Sequence, residues 1–225
     1  MTELFFVVEG HTEEDFVNQI LIEHLAYAGI MVRGVVKVGS GRVKGGMVSY
    51  ARLRDHLEKL LKQHQNVYFT TLIDVFRIPT DFPEFQMANK ISDPVSRALR
   101  LEQAMLEDVI ARTGTRFFVP YVQLHEFEAL LWTDPIALDS SLVTLGAASK
   151  LTELQDVIAD YETPEHINNK PETAPSKRLE QLYGDAYNKK LIGPLVTKNI
   201  GLERLREACP RFGAWVTKLE ELGRE

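Results

Sequence analysis

Apolar positions in the first half of the chain fall into two alternating kinds of segment. Leu4 to Val8 is an unbroken apolar run, the pattern of a strand buried on both faces. From Glu13 to Tyr27 the apolar residues Phe16, Ile20, Leu21 and Leu25 recur at helical spacing, with Thr12 as an N-cap and Gly29 as the stop. Met31 to Val38 is β-branched and strand-like. Val48 to Gln63 reads as a helix on Leu53, Leu57, Leu60 and Leu61. Val67 to Ile73 is a third apolar strand ending at Asp74. A long connection with Pro79 and Pro83 leads to a helix from Asp93 to Arg112, with Leu99, Met105, Leu106 and Val109 on its apolar side. Arg116 to Val122 is a fourth strand, followed by a short helix from Leu124 to Trp132.

Strands alternating with helices predict an α/β fold: a mainly parallel sheet with helices on both faces. After Trp132 no further strand is evident, and prolines break the remainder into short helical pieces. The expected organisation is an α/β domain over 1–132 and a helical C-terminal region over 133–225, packed on it. A connection as long as Val75 to Ser92 is expected to be functional or disordered.

Composition narrows the class only modestly. The 225 residues are 44% hydrophobic and 26% charged, as in ordinary globular proteins. No apolar run reaches bilayer-spanning length and no secretory leader is evident, so a cytoplasmic protein without membrane contact is expected. Cys209 is the only cysteine, which excludes an internal disulfide and a cysteine-based zinc site. Its apolar surroundings suggest a packed thiol. A net charge of −6 argues against non-specific coating of nucleic acid. It leaves room for a nuclease, whose acidic metal site and basic patch are separate. Between Glu165 and Arg206 eight Lys or Arg face five Asp or Glu, a local excess of +3.

The candidate chemistry lies after the strands. Glu9 follows the first, Asp74 the third, and Glu126 and Glu128 the fourth. Ligands of open α/β sheets bind outside the carboxyl ends of the strands, where converging carboxylates need a cation. Oxygen donors suit Mg²⁺ or Mn²⁺. Strand ends also carry acids simply because they face solvent, so position alone does not decide. Helix capping accounts for Thr12, Glu13 and Glu14 but not for Glu9. His125 is a ligand or base, or a structural hydrogen-bonder. On a helix, Glu126 and Glu128 would diverge by about 200°.

The loop Gly39 to Gly46 follows a strand, but it matches neither a P-loop nor the dinucleotide fingerprint. Arg42 and Lys44 contact a phosphate there, or the loop is a surface turn. In Ala174-Pro175-Ser176-Lys177-Arg178, Ser176 caps a helix that begins with two cations. Cations at that end oppose the helix dipole, and an anion would relieve the conflict. Lys190 and Lys198 extend the same basic patch.

Phe6-Val7-Val8-Glu9-Gly10-His11-Thr12-Glu13, Leu72-Ile73-Asp74-Val75-Phe76, Pro79-Thr80-Asp81-Phe82-Pro83, His125-Glu126-Phe127-Glu128-Ala129-Leu130-Leu131 and Ala174 to Leu179 occur in this order. Together with the ending from Gly201 to Trp215, they resemble a bacterial family catalogued as domain of unknown function 4276. That family is similar to Toprim-fold proteins, including nucleases of the overcoming-lysogenization-defect type. The resemblance implies a Toprim-like fold and Mg²⁺-dependent cleavage of DNA or RNA. It also implies a setting in bacterial phage defence or repair beside an ATPase partner.

Toprim domains carry a Glu after the first strand and Asp-x-Asp after a later one. Glu9 and Asp74 match, while Phe76 replaces the second Asp. The resemblance thus implies catalytic roles for Glu9, Asp74 and Glu126, metal ligation by Glu9, Asp74 and Asp81, and phosphate contacts from Lys177, Arg178 and Lys190. Glu13, His125 and Glu128 are secondary candidates. A non-catalytic nucleotide- or partner-binding module and a phosphohydrolase using the glycine loop are the competing expectations.

Overall fold

In a computed structural model of the protein, residues 1–38, 49–76, 78–168 and 170–224 are described. The Gly39 to Gly46 loop, with Arg42 and Lys44, lies outside the described residues, as does Asn169. The chain divides into two compact units. A sheet unit comprises Met1–Gln123 with Thr217–Glu225, and a helical unit comprises Leu124–Val216. The sequence expectation placed the division after Trp132.

The sheet unit is built from β1 (Thr2–Val8), α1 (His11–Phe16), a π-helical turn (Val17–Leu21), α2 (Ile22–Tyr27), β2 (Ile30–Lys37), α3 (Tyr50–Gln63), β3 (Tyr68–Asp74), α4 (Phe85–Ala88), α5 (Pro94–Thr113), β4 (Phe118–Val119) and β5 (Val122–Gln123). All strand pairs are parallel, in the order β2-β1-β3-β4, with β5 also on β3. The connections run one way from β1 to β2 and the other way from β2 to β3. Right-handed crossovers therefore put α1–α2 and α3 on opposite faces. α5 shares the face of α3, and the Tyr50 hydroxyl on α3 donates to Asp108 on α5 at 2.9 Å.

The expected fourth strand is present but interrupted. Phe118 and Val119 pair with Phe69 and Thr70, and Val122 and Gln123 pair with Ile73 and Asp74 in the same register. Pro120 lies in the gap and has no N–H to give a ladder. The Thr71 hydroxyl fills in, accepting from Tyr121 N–H and donating to Tyr121 C=O, both at 2.9 Å. These bonds hold the end of β3, and so Asp74, beside Gln123.

Helix phases differ in detail from the sequence pattern. The first helix starts at His11 after an N-cap at Gly10, so Thr12 is within the first turn rather than at the cap. The π-turn shifts the buried stripe to Phe16, Val17, Leu21 and Leu25, leaving Ile20 half-buried. On α5 the buried set is Ala98, Leu101, Ala104, Met105 and Val109, and Leu99 is exposed.

The connection after β3 is ordered by packing. Asp81 accepts from Tyr50 N–H at 2.9 Å and Ala51 N–H at 3.1 Å, and Phe82 is buried with its ring 4.7 Å from that of Tyr50. The Pro79–Pro83 segment thus clamps the start of α3. The chain end returns to the same unit: Leu222 C=O accepts from the Thr2 hydroxyl at 2.9 Å.

The helical unit contains a 3-10 helix (Phe127–Thr133), α6 (Pro135–Thr144), α7 (Leu151–Ala159), short 3-10 turns, α8 (Pro175–Tyr183), α9 (Lys189–Ile200) and α10 (Leu202–Ala208). α11 (Pro210–Glu221) begins in it. Its core includes Phe127, Leu130, Leu131, Trp132, Leu179, Val196 and Phe212, all fully buried. Among the described residues no helix is long and apolar enough to cross a membrane.

Candidate acidic site at the sheet edge

Parallel strands β1 and β3 are neighbours, yet the chain visits β2 between them. The crevice at their carboxyl ends is therefore the topological switch point of the sheet, where open α/β folds take ligands. Glu9 and Asp74 are the residues the sequence supplies there. Glu9 N–H donates to Leu72 C=O at 3.3 Å, which continues the β1–β3 ladder by one step. The Glu9 carboxylate in turn accepts from the Asp74 backbone N–H at 3.2 Å. Glu9 is half-buried and Asp74 is 9% exposed.

Other acids near this edge have different attachments. Glu13 is buried and folds back so that its carboxylate accepts from Gly10 N–H at 2.9 Å. That closes the first turn of α1 and holds the residue next to Glu9. Asp81 is turned toward the start of α3, as a cap reaching in from a distant loop. Phe76 is half-buried in the turn after β3. Among the described residues no three His, Cys, Asp or Glu side chains gather as a metal cage. A two-carboxylate edge still fits Mg²⁺, which is commonly held by one or two carboxylates together with waters and substrate phosphates.

The acidic motif of the helical unit has a different character. His125 has a left-handed backbone, φ 61°, which costs a non-glycine residue energy. Its ring lies 3.2 Å from the Asn168 amide. Glu126 precedes the 3-10 helix and is buried. It accepts from Ser176 N–H at 3.1 Å and from the Ser176 hydroxyl at 2.7 Å. The N-cap of α8 is Ala174, which has no capping side chain, so Ser176 is not the cap but the second helical residue. The anion that Lys177 and Arg178 called for at this helix end is thus the protein's own Glu126.

Glu128 is fully buried and paired with Lys189 at 2.8 Å. Burial, with Glu128 and Glu126 nearby, pushes the Tyr187 phenol well above its usual range. Of the expected phosphate ligands, Lys177 is exposed and paired with Glu180. Arg178 donates to Thr173 C=O at 2.8 Å and to the Tyr161 hydroxyl at 2.9 Å. Lys190 is exposed. Sequence reading missed Lys189, the neighbour of Lys190, because only the start of α9 fixes which of the two turns toward Glu128. Cys209 is buried with its thiol pushed up to about 12, a packed thiol as expected.

The structure is similar to the C-terminal region of the Burkholderia pseudomallei OLD protein, with a TM-score of 0.50 and 18% identity. The match covers 98% of this chain and 96% of that one. The corresponding region of the Xanthomonas campestris pv. campestris OLD protein matches at a TM-score of 0.48 and 15% identity, over 100% of this chain and 95% of that one. The chain belongs to the family described as Domain of unknown function (DUF4276), whose model matches residues 8–220. No curated protein matches it in sequence.

Proposed function

We propose that the protein is a Mg²⁺-dependent nuclease that hydrolyses phosphodiester bonds of DNA or RNA at the carboxyl edge of its sheet. The observation that carries this reading is the bond from Asp74 N–H to the Glu9 carboxylate at the β1/β3 switch point. It holds two acids from separate strands beside one another. In this proposal Glu9 and Asp74 hold the ion, and Mn²⁺ can replace Mg²⁺. The bound ion supplies charge stabilisation to the phosphate undergoing cleavage. Glu9 is kept in place by the Asp74 amide, and Asp74 by the pairing of β3 with Gln123. The fold likeness to OLD C-terminal regions and the family resemblance support a setting in bacterial defence or repair beside an ATPase partner.

The test is incubation of the purified protein with plasmid, single-stranded DNA and RNA, with Mg²⁺ or Mn²⁺, beside Glu9→Ala and Asp74→Ala. Cleavage in wild type that both substitutions abolish supports the proposal. Cleavage that survives both sinks the site. A second reading, a non-catalytic nucleotide- or partner-binding module, is favoured by Phe76 at the second Asp position and by the engagement of Asp81 as a helix cap. Oligonucleotide or nucleotide binding without cleavage, with and without an ATPase partner, would favour that module.

A further inference from the structure

At the same carboxyl edge, β2 ends in Lys37, whose register partner on β1 is Val8, the residue before Glu9. The Lys37 ammonium donates to Glu14 on α1 at 2.6 Å and lies 3.0 Å from His11 Nδ1. An ammonium can only donate, so Nδ1 is the acceptor and the His11 proton resides on Nε2. Lys37 has three N–H donors, and these two partners take two of them. Among the described residues the third has no acceptor, at a side chain that is 31% exposed, beside a His11 side chain that is 59% exposed. His11 is two residues from Glu9, so their Cα atoms are within roughly 7 Å.

We infer that Lys37, together with His11 Nε2–H, forms a phosphate-binding subsite for the nucleic-acid backbone next to the Glu9–Asp74 pair. This rests on the nuclease reading and supplies the basic contact that Lys177 and Arg178, with partners in the helical unit, were expected to provide. Glu14 has a positioning role: its bond fixes the ammonium at the rim, while partly exposed ion pairs are weak enough for a phosphate to compete. Because the contacts are to phosphate, the subsite confers affinity without sequence preference.

A purely structural tie between β2 and α1 makes a different forecast, since Lys37→Ala and Glu14→Gln delete the same ion pair. Binding of a short fluorescein-labelled single-stranded DNA, and of the RNA of the same sequence, is measured by anisotropy in EDTA across a salt series. Lys37→Ala is expected to weaken binding about five- to tenfold and to lower the salt slope by about one. Glu14→Gln, which keeps an acceptor for Lys37 but removes a negative charge, is expected to bind as tightly as wild type or tighter. Lys37→Arg should restore affinity. Thermal unfolding checks each variant, and Lys37→Gln replaces Lys37→Ala if the latter does not fold.

Equal weakening in Lys37→Ala and Glu14→Gln overturns the subsite, as does wild-type affinity in Lys37→Ala. Binding of neither oligonucleotide by wild type also overturns it. A preference for DNA or RNA identifies the source of the phosphodiester, and equal affinity assigns recognition to the shared backbone. Mg²⁺-dependent cleavage is followed in parallel in Glu9→Gln. Cleavage that survives there refutes the acidic site itself, whereas its loss there with unchanged affinity in Lys37→Ala refutes the subsite alone.

Discussion

Glu9 and Asp74 in the sheet unit stand at the ends of adjacent parallel strands, whereas Glu126, Glu128, Glu165 and Asp139 in the helical unit are each buried among donors of that unit. Glu126 receives two bonds from Ser176, and Glu128 pairs with Lys189. Glu165 accepts from Arg211 and Phe212 N–H at the start of α11. Asp139 accepts from Lys150 N–H, the Ser149 hydroxyl and the Tyr183 hydroxyl, each at 2.7 Å. A buried carboxylate needs such partners, and in the helical unit they come from helix ends and loops that the acid then fixes. At the sheet edge the Glu9 carboxylate instead accepts from the Asp74 backbone N–H, and both acids stand at the carboxyl ends of neighbouring strands, where open α/β sheets take ligands. Being acidic and buried does not mark a site; what the acid's oxygens are turned toward does.

The strongest attempt to break this contrast is a pair of substitutions. Glu9→Gln and Asp74→Asn should lower cleavage at least about a hundredfold with little change in thermal midpoint. Loss of the fold instead would make these acids structural too. Glu126→Ala should do the reverse, costing about 1 to 3 kcal/mol in denaturant unfolding by stripping the acceptor from Ser176. Abolished cleavage with unchanged stability would move Glu126 to the other side of the comparison.

Two further variants sharpen the contrast through pH. Burial acts to raise the Asp139 carboxyl, but its three donors outweigh burial and hold it below its usual range. Its stabilisation is therefore present above the unfolded carboxyl value and is lost as pH falls through the lower folded value. Asp139→Asn should cost about 1 to 2 kcal/mol near neutrality and flatten the acid limb of a stability–pH curve. Glu165 is the opposite case, because burial raises its carboxyl despite the two N–H donors. Its favourable contribution is present below the unfolded value and fades as pH rises through the raised folded value. Glu165→Gln should therefore match or exceed wild-type stability at neutral pH. The smallest effect is expected from Lys177→Ala, whose exposed partner is Glu180: unchanged oligonucleotide affinity would keep the helical unit's basic residues out of phosphate binding.

Much of the sheet unit was legible because its strands are short apolar runs and its helices repeat at 3.6 residues. That legibility extended to Glu9 and Asp74, since a carboxylate directly after a buried strand has a fixed place on the sheet. It failed where a side chain's partner is remote in sequence. Asp81 pairs with α3 across some thirty residues, and Glu126 pairs with Ser176 across fifty. The local pattern of Pro79 to Pro83 and of Ala174 to Leu179 looks the same whether those partners exist or not. The phase of α5 and the π-turn in the first helix were likewise set by packing, which shifted Leu99 and Ile20 outward.

The sequence by itself determined the alternation of strand and helix, the parallel sheet, and the two acids at the ends of β1 and β3, because these follow from local periodicity and backbone geometry. Tertiary structure alone decided which acids became caps, which of Lys189 and Lys190 met Glu128, and that Lys37 stood beside His11. Hydrogen bonds and ion pairs act over about 3 Å, and only the folded chain brings such distant residues that close.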